Sequence, residues 1–208
     1  MFNELIQRYP ALSSCGEEIK KAALAMIACY ERGGKIMLCG NGGSCADCDH
    51  IVGELMKGFL KLRPIADEQK EAMKNSSPEL DDTLLSKLQR GLPAISLPSI
   101  SALNSAFCND VDPELIYAQS LFSLGKEGDI LIALSTSGNA KNVYAALKVA
   151  KALGITVIGL TGAKGGLLRE HADICICAPE DETFKIQELH LPVYHYLCAA
   201  VEGHFFES

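Results

Sequence analysis

Short apolar runs alternate along the chain with longer stretches in which apolar residues recur every three or four positions. Such runs predict buried parallel strands, and the spacing of the intervening stretches predicts helices. The clearest strand is expected over residues 129–134, and four others are expected over 35–39, 92–97, 155–160 and 173–177. This alternation favours an α/β fold, namely a five-stranded parallel sheet with helices on both faces, Rossmann-like and in three αβα layers.

The expected helices are bounded by residues that commonly begin or end a helix. Ser14 and Glu17 have the spacing of a capping box, so a long helix should begin at Ser14 and end at the glycine pair 33–34. Asp112 followed by Pro113 marks the start of another helix. The remaining helices are expected over residues 45–60, 140–153, 167–171 and 183–205, with a helical turn over 101–107.

Residues 61–91 interrupt this alternation. They are polar and charged, and prolines and paired serines or aspartates break them into two short predicted helices, over 67–74 and 79–90. The segment is predicted either as a lid or interface element, or as a solvated excursion without a role. Apart from this helical insertion, residues 1–208 are expected to form a single domain.

Composition excludes several classes of function. The chain has 208 residues, of which 48% are hydrophobic, and a formal net charge of −7. It has no basic stripe that could neutralise phosphates, so general nucleic-acid binding is not expected. Because it has neither a run of about 18 apolar residues nor an N-terminal signal pattern, we expect a cytoplasmic protein without a membrane partner. The nine cysteines, an odd number, fit a reducing compartment.

The loop after the 129–134 strand carries the hydroxyl groups of Ser135, Thr136 and Ser137. It lies between a strand end and a helix start, where unpaired backbone N–H groups carry partial positive charge. Hydroxyls and N–H groups together favour a bound anion, and phosphate is the anion we expect. The alternative is that these side chains only cap the helix. The glycine-rich loop 40–44 ends another parallel strand, so both loops should lie at the ligand-binding edge of the sheet.

Two further groups of side chains bear on chemistry. His50 and Glu54 are four residues apart on a predicted helix and share one face, which suits a metal site, a proton-transfer pair or a salt bridge. Gln187 and His195 are eight residues apart on the last helix and point to nearly one side, whereas a lone histidine such as His190 is more often a core residue.

Cys45 and Cys48 form a Cys-x-x-Cys pattern at the start of a predicted helix. Such a pair could be redox-active or bind a metal, but the chain has no second Cys-x-x-Cys to complete a site, so ordinary packing is favoured. If Cys45 lies in the first turn of the helix, its pKa is expected to be lowered.

Together these segments resemble the sugar isomerase (SIS) domain and, within it, the phosphoheptose isomerases, also called sedoheptulose 7-phosphate isomerases. The resemblance covers nearly the whole chain apart from residues 61–91. It rests on residues 40–44, 135–139, 159–162 and 186–190, and on the set His50, Glu54, Gln187 and His195.

The resemblance implies a homotetramer that interconverts sedoheptulose 7-phosphate and D-glycero-D-manno-heptose 7-phosphate. It implies Glu54 as the base and His195 as the acid. The implied phosphate ligands are Ser44, Ser135, Thr136 and Ser137. Further implied substrate contacts are Asn41, Gly42, Gly43, Glu54, Asp110 and Gln187. In some members of the family Zn2+ is bound, here by the residues His50, Glu54, Gln187 and His195.

These residue types suit an aldose–ketose isomerisation, which moves a proton between C1 and C2 of the sugar through an enediol. One group must take a proton from carbon while another protonates or polarises the carbonyl oxygen. Zinc would stabilise the developing oxyanion as a Lewis acid. A phosphate grip remote from the reacting carbons would supply binding energy for positioning them.

The chain departs from the family pattern at a few positions. Ala140 stands where a serine is usual, and Lys57 and Gly58 stand where an arginine is expected. The 61–91 segment is also longer than usual. Two alternatives therefore stay open: an SIS isomerase for another sugar phosphate, and a non-catalytic SIS protein that binds a phosphosugar or a protein partner such as the replication initiator.

Overall fold

The structure, a computed structural model, describes residues 1–206. One sheet of five parallel strands has the order β2-β1-β3-β4-β5, so the predicted sheet is confirmed. The strands are β1 (Ile36–Cys39), β2 (Ala94–Ser96), β3 (Ile130–Leu134), β4 (Thr156–Thr161) and β5 (Ile174–Cys177). The helices are α1 (Phe2–Arg8), α2 (Gly16–Glu31), α3 (Gly43–Met56), α4 (Asp67–Ser76), α5 (Asp82–Lys87), α6 (Ser101–Asp110), α7 (Ile116–Leu124), α8 (Lys141–Ala152), α9 (Gly166–His171) and α10 (Thr183–Phe205).

Alternate side chains of the strands pack into two separate cores. On β1, Ile36 and Leu38 join the core formed with α1, α2, α3 and α10. Met37 and Cys39 point to the other face, where they pack against α7, α8 and α9. Strands buried on both faces explain the continuous apolar runs in the sequence and confirm the three-layer prediction. Among the residues that the structure describes, no helix has both the length and the apolar character to span a bilayer.

The first predicted helix start is wrong. Ser14 lies in a 3₁₀ turn, Pro10–Cys15, and its hydroxyl donates to the carbonyl of Ala11 over 3.0 Å. It therefore does not cap α2, which begins at Gly16 without a side-chain cap. A hydroxyl that bonds a carbonyl three residues earlier competes with helix capping, and here the local bond prevails.

Helix α3 ends at Met56 rather than at residue 60 because another side chain takes its last carbonyls. The Arg63 guanidinium donates to the carbonyls of Leu55 and Glu54 over 2.7 and 3.1 Å. Lys57, which follows the helix, has an extended backbone. A cation on the last carbonyls of a helix satisfies groups that have no partner within the helix.

The 61–91 segment contains α4 and α5, as expected, but α5 is much shorter than the predicted 79–90. Its start is set by Asp81, whose carboxylate accepts from the N–H of Leu84 over 2.7 Å. The segment leaves and rejoins the domain at one place, because the N–H of Arg90 donates to the carbonyl of Arg63 over 2.7 Å. Pro64 and Gln89 form an antiparallel bridge beside it, and we call these four residues the neck.

Candidate active site

The glycine-rich loop after β1 turns directly into α3. Gly42 has a φ of +56°, a conformation that costs glycine little, and the helix begins at Gly43, two residues earlier than predicted. Ser44 therefore lies in the first turn and is buried. Asn41 is fixed by its side chain, since its amide exchanges hydrogen bonds of 2.8 and 3.0 Å with Asn142 at the start of α8. Tyr117 donates to the same Asn41 oxygen over 3.0 Å.

The serine loop lies beside it, at the carboxyl end of β3. Ser135 Oγ accepts from the N–H of Ala140 over 3.4 Å, and Ser137 Oγ accepts from the N–H of Asn139 over 3.2 Å. These contacts resemble the capping alternative, but each hydroxyl keeps its own proton as a donor. Gly138 has a φ of +69°, and a Cβ there would overlap the Gly165 carbonyl. The loop is thus held in one tight conformation with hydroxyl donors available to an anion.

The predicted His50, Glu54 and His195 come together between α3 and α10. His50 Nε2 lies 3.3 Å from Glu54 Oε1 and 3.4 Å from His195 Nε2. The second carboxylate oxygen of Glu54 is 3.4 Å from the Lys57 ammonium. The Glu54 side chain is only 15% exposed. This group, which we call the histidine–glutamate cluster, therefore combines a shielded carboxylate with two imidazoles.

Two residues that the sequence did not single out orient His50. The hydroxyl of Tyr194 donates to Asp47 Oδ1 over 3.0 Å and lies 3.1 Å from His50 Nδ1. Because the single hydroxyl proton goes to Asp47, Nδ1–H of His50 must donate to the tyrosine oxygen. Nε2 is then the ring nitrogen of His50 that faces Glu54 and His195. Asp47 lies three residues before His50 on the same helix, but nothing in the sequence pairs it with Tyr194.

Burial sets the protonation of two histidines on α10. Burial, followed by the neighbouring His50, lowers the pKa of His195, while Glu54 acts in the opposite direction. The neutral imidazole is therefore favoured at neutral pH. Burial also lowers the pKa of His190 to about 4, and its Nε2 lies 3.3 Å from the Thr161 carbonyl. His190 is thus a core residue, as expected.

The expected lowering of the Cys45 pKa is wrong. Cys45 does lie in the first turn of α3, but burial and then the negative charge of Asp49 raise its pKa. Desolvation of the thiolate outweighs the helix dipole here. Cys48 is fully buried, and the structure thus agrees with a packing role for the Cys-x-x-Cys pair.

Gln187 and Asp110 lie apart from the histidine–glutamate cluster. Gln187 packs on Gly43 so closely that a Cβ on the glycine would overlap its amide. Helices α3 and α10 run side by side in one direction, and the eight residues from Gln187 to His195 correspond to a rise of about 12 Å. Asp110 is exposed at the end of α6 and accepts from Asn109 over 2.7 Å. Within residues 1–206, no hydrogen bond joins Asp110 to either loop.

The donor atoms of the cluster fit part of a zinc shell. With Zn–N and Zn–O bonds of about 2.0–2.1 Å, tetrahedral ligands lie about 3.3 Å apart. His50 Nε2 lies 3.3 Å from Glu54 Oε1 and 3.4 Å from His195 Nε2, which matches that spacing. The shell is nevertheless incomplete, because Gln187 lies at Gly43. Across the described chain, no three His, Cys, Asp or Glu side chains are arranged to hold a metal.

His195 also opens onto a cavity of about 460 Å³ on the outer side of α10. Arg8 of α1 and Phe59 line the cavity, and the Phe59 ring centroid lies 5.5 Å from that of His195. A histidine that reaches both the cluster and an open cavity is accessible to a bound molecule.

Comparison with known proteins identifies the family of the chain. Two SIS domain models match residues 3–90 and 103–200. The chain is 37% identical to the phosphoheptose isomerase of Roseiflexus sp. over 88% of its length and 80% of the relative. It is 38% identical to that of Rhodospirillum rubrum over 92% of its length and 88% of the relative.

Two solved structures are similar over almost the whole fold. A phosphoheptose isomerase from Francisella tularensis has a TM-score of 0.78 at 31% identity, covering 97% of this chain and 94% of that one. The enzyme from Neisseria gonorrhoeae has a TM-score of 0.76 at 29% identity, covering 97% and 95%. The arrangement of strands, loops and helices is thus shared with enzymes of one reaction class.

Proposed function

The chain belongs to the phosphoheptose isomerase family of SIS-domain proteins, and from this premise we propose how its residues interconvert sedoheptulose 7-phosphate and D-glycero-D-manno-heptose 7-phosphate. The predicted aldose–ketose isomerase is confirmed at the level of the family. The observation that carries the proposal is the histidine–glutamate cluster, which joins a shielded carboxylate to two imidazoles 3.3–3.4 Å apart.

Glu54 is the base of the proposed mechanism. Its carboxylate is largely shielded from water yet has only long contacts, of 3.3 and 3.4 Å, to His50 and Lys57. A carboxylate with spare hydrogen-bonding capacity is able to take the proton from the sugar carbon and return it to the neighbouring carbon. His195 donates to the carbonyl oxygen and takes the proton back, and it is reached from the adjoining cavity.

The phosphate end of the substrate is held away from the reacting carbons. We assign it to the hydroxyls of Ser44, Ser135, Thr136 and Ser137. The fixed loop geometry supports this assignment, because donors that are already oriented lose little entropy when an anion binds. Asn41, Gly42, Gly43, Asp110 and Gln187 are proposed as further sugar contacts.

Zinc is a separate part of the proposal. His50, Glu54 and His195 are the residues that would hold it, after side-chain shifts, since as placed they do not form a metal site, and Gln187 would have to turn away from Gly43 to join them. A bound zinc ion would polarise the carbonyl oxygen of the sugar. The chain's own residues would then orient the substrate and move the protons as described above.

We also propose a homotetramer in the cytoplasm. Large apolar side chains remain exposed around the cluster, notably Met56, Leu60 and Leu191. Exposed apolar patches are typical of protein interfaces. All nine cysteines are free, which fits a reducing compartment. Sedimentation tests the assembly, and a fully active monomer would contradict it.

The decisive experiment is an isomerase assay with sedoheptulose 7-phosphate, run as purified, with a chelator, and with zinc restored. Turnover that the chelator removes and zinc restores supports both the reaction and the metal. Turnover that the chelator leaves unchanged supports the isomerase reaction and contradicts a role for zinc. Activity only with another sugar phosphate favours the alternative substrate, for which Ala140 in the phosphate loop is the motivating observation. Phosphosugar binding without turnover indicates a non-catalytic protein.

A further inference from the structure

A pair of thiols lies at the free edge of the sheet, outside the residues assigned to the isomerase reaction. Cys175 and Cys177 are two residues apart on β5, the last strand in the sheet order. Alternate residues of a strand point to the same face, and their sulfur atoms lie 3.8 Å apart. Both side chains are partly exposed. The two sulfurs are thus neighbours on an accessible surface.

Both thiols open into a cavity of about 610 Å³ between the start of α2 and the α9–β5 connection. Arg169 and Lys21 line the same cavity. Two carboxylates line it as well, namely Glu18, which pairs with Lys21 over 3.8 Å, and Asp173, which pairs with Lys151 over 2.7 Å. The cavity therefore has room for a ligand, and Arg169 is a cation of its lining close to the thiols.

A hydrogen bond joins the two thiols and affects their pKa values in opposite directions. The hydrogen bond from Cys175 is the main reason that the pKa of Cys177 falls to about 7, and the Arg169 guanidinium adds to this against burial and Glu18. The pKa of Cys175 is raised by the same hydrogen bond and by burial. A cation that binds both sulfurs would displace the thiol protons that remain.

The sulfur donors select the chemical class of the ligand. Thiolates favour soft ions such as Cu(I), Zn and iron–sulfur clusters over Mg or Ca. Structural zinc sites need four protein ligands, and the described residues contain no group of three or more suitable side chains. Cys15 lines the cavity, but burial, followed by the charge of Cys177, raises its pKa to about 11. A soft ion that accepts two sulfur ligands fits this donor set.

We propose that Cys175 and Cys177 form a two-thiolate site for a soft monovalent cation, represented by Cu(I), in the cavity beside β5. Binding forms two sulfur–metal bonds and releases the protons that the two thiols carry, without any change in oxidation state. The resulting complex carries one negative charge, which the Arg169 guanidinium of the cavity lining would offset in part.

The test is an oxygen-free titration of the reduced full chain with Cu(I), in competition with the chromophoric Cu(I) chelator bicinchoninate. The native protein is expected to withhold one equivalent of Cu(I) from the chelator. Cys175→Ser and Cys177→Ser should each abolish this equivalent. Cys108→Ser, at an exposed thiol on α6, is the matched control and should retain it, as should Cys15→Ser. Thermal melting, monitored by circular dichroism, checks that each variant is folded.

Three outcomes would overturn the site. Native protein that gives up all its Cu(I) to bicinchoninate has no such site. A folded Cys175→Ser/Cys177→Ser double variant that withholds the same equivalent places it at other cysteines. If the single variant Cys15→Ser also fails to retain Cu(I), Cys175 and Cys177 are not sufficient for the site.

Discussion

Two carboxylates near the α3–α10 contact, Glu202 and Glu54, differ sharply in burial and in hydrogen bonding. Glu202 is 1% exposed and accepts from the N–H groups of Phe59 and Leu60 and from Arg63, over 2.7–2.9 Å. Glu54, by contrast, has no side-chain partner closer than 3.3 Å among the described residues. Three short bonds and nearly complete burial leave Glu202 little capacity for another partner, whereas Glu54 keeps acceptor capacity for the proposed substrate.

The buried Arg63–Glu202 pair also holds the backbone of Glu54 in place. Arg63, held by Glu202, also grips the carbonyls of Glu54 and Leu55 at the end of α3. The backbone of the proposed base is therefore fixed while its carboxylate stays weakly bonded. A rigid support beneath an unsatisfied reactive group is the arrangement that proton transfer requires.

The largest expected effect comes from removing the charge of the open carboxylate. Glu54→Gln should lower kcat by about 10²–10⁴-fold, the usual contribution of a general base. The free energy of unfolding should change by no more than about 0.5 kcal/mol, because the Glu54 carboxylate makes only long, weak interactions with His50 and Lys57. Initial rates and thermal melting measure the two effects. Glu17→Gln, at an exposed glutamate of α2, is the matched control, and near-native turnover in Glu54→Gln would remove Glu54 from the mechanism.

Breaking the Arg63–Glu202 pair should instead lower the free energy of unfolding. Arg63→Met leaves the Glu202 carboxylate buried without its cation, which should cost about 3–5 kcal/mol of unfolding free energy. Urea unfolding at one fixed protein concentration measures this loss. The double change Arg63→Met/Glu202→Leu should recover part of it, because no unpaired charge remains. Lys20→Met, which breaks an exposed pair, should stay within about 1 kcal/mol. Equal losses for both single variants would refute the comparison.

A smaller effect is expected at Tyr194 of α10, which contacts Asp47 and His50 of α3. Tyr194→Phe removes the hydroxyl that joins Asp47 to His50 and leaves the half-buried Asp47 carboxylate without this hydrogen bond, at a cost of about 1 kcal/mol. Because His50 then loses its orientation, kcat should fall by about 10-fold with a smaller change in KM. Tyr196→Phe, on the neighbouring turn of α10, is the control. A change confined to stability, with kcat intact, would limit Tyr194 to a packing role.

The smallest effect should come from the end of the serine loop, which we propose to hold the phosphate. Ala140 is the N-cap of α8 and gives it no side-chain hydrogen bond. Ala140→Ser should stabilise the protein by about 0.5–1 kcal/mol, since serine caps helices better than alanine. The added hydroxyl should also lower KM for a sugar phosphate. Thermal melting and steady-state kinetics test both effects, and a raised KM would place residue 140 outside the phosphate site.

The sequence predicted best what depends on neighbours along the chain. The strand ending at Leu134 and the His50–Glu54 pair follow from local periodicity, and both are as expected. The false helix start at Ser14 shows the limit of this reasoning, because a capping pattern does not reveal that a preceding 3₁₀ turn uses the same hydroxyl.

What the sequence could not give are contacts between distant segments. Tyr194 lies 147 positions from Asp47, and Arg63 lies 139 positions from Glu202. Each pairing depends on how α10 is placed against α3, which packing of the whole domain decides. The pKa of Cys45 was mispredicted for the same reason, since burial by surrounding elements outweighs its position in the helix.

Residues 65–88 form a branch of the fold whose two ends meet at the neck. The chain leaves and rejoins at the bond between Arg63 and Arg90, and the side chain of Gln89 ties that point to Gly58. The entropy of closing a loop rises only slowly with its length. The branch is therefore a place where evolution can add or delete residues at small thermodynamic cost, and where an engineer could graft a reporter domain while the catalytic framework stays unaltered.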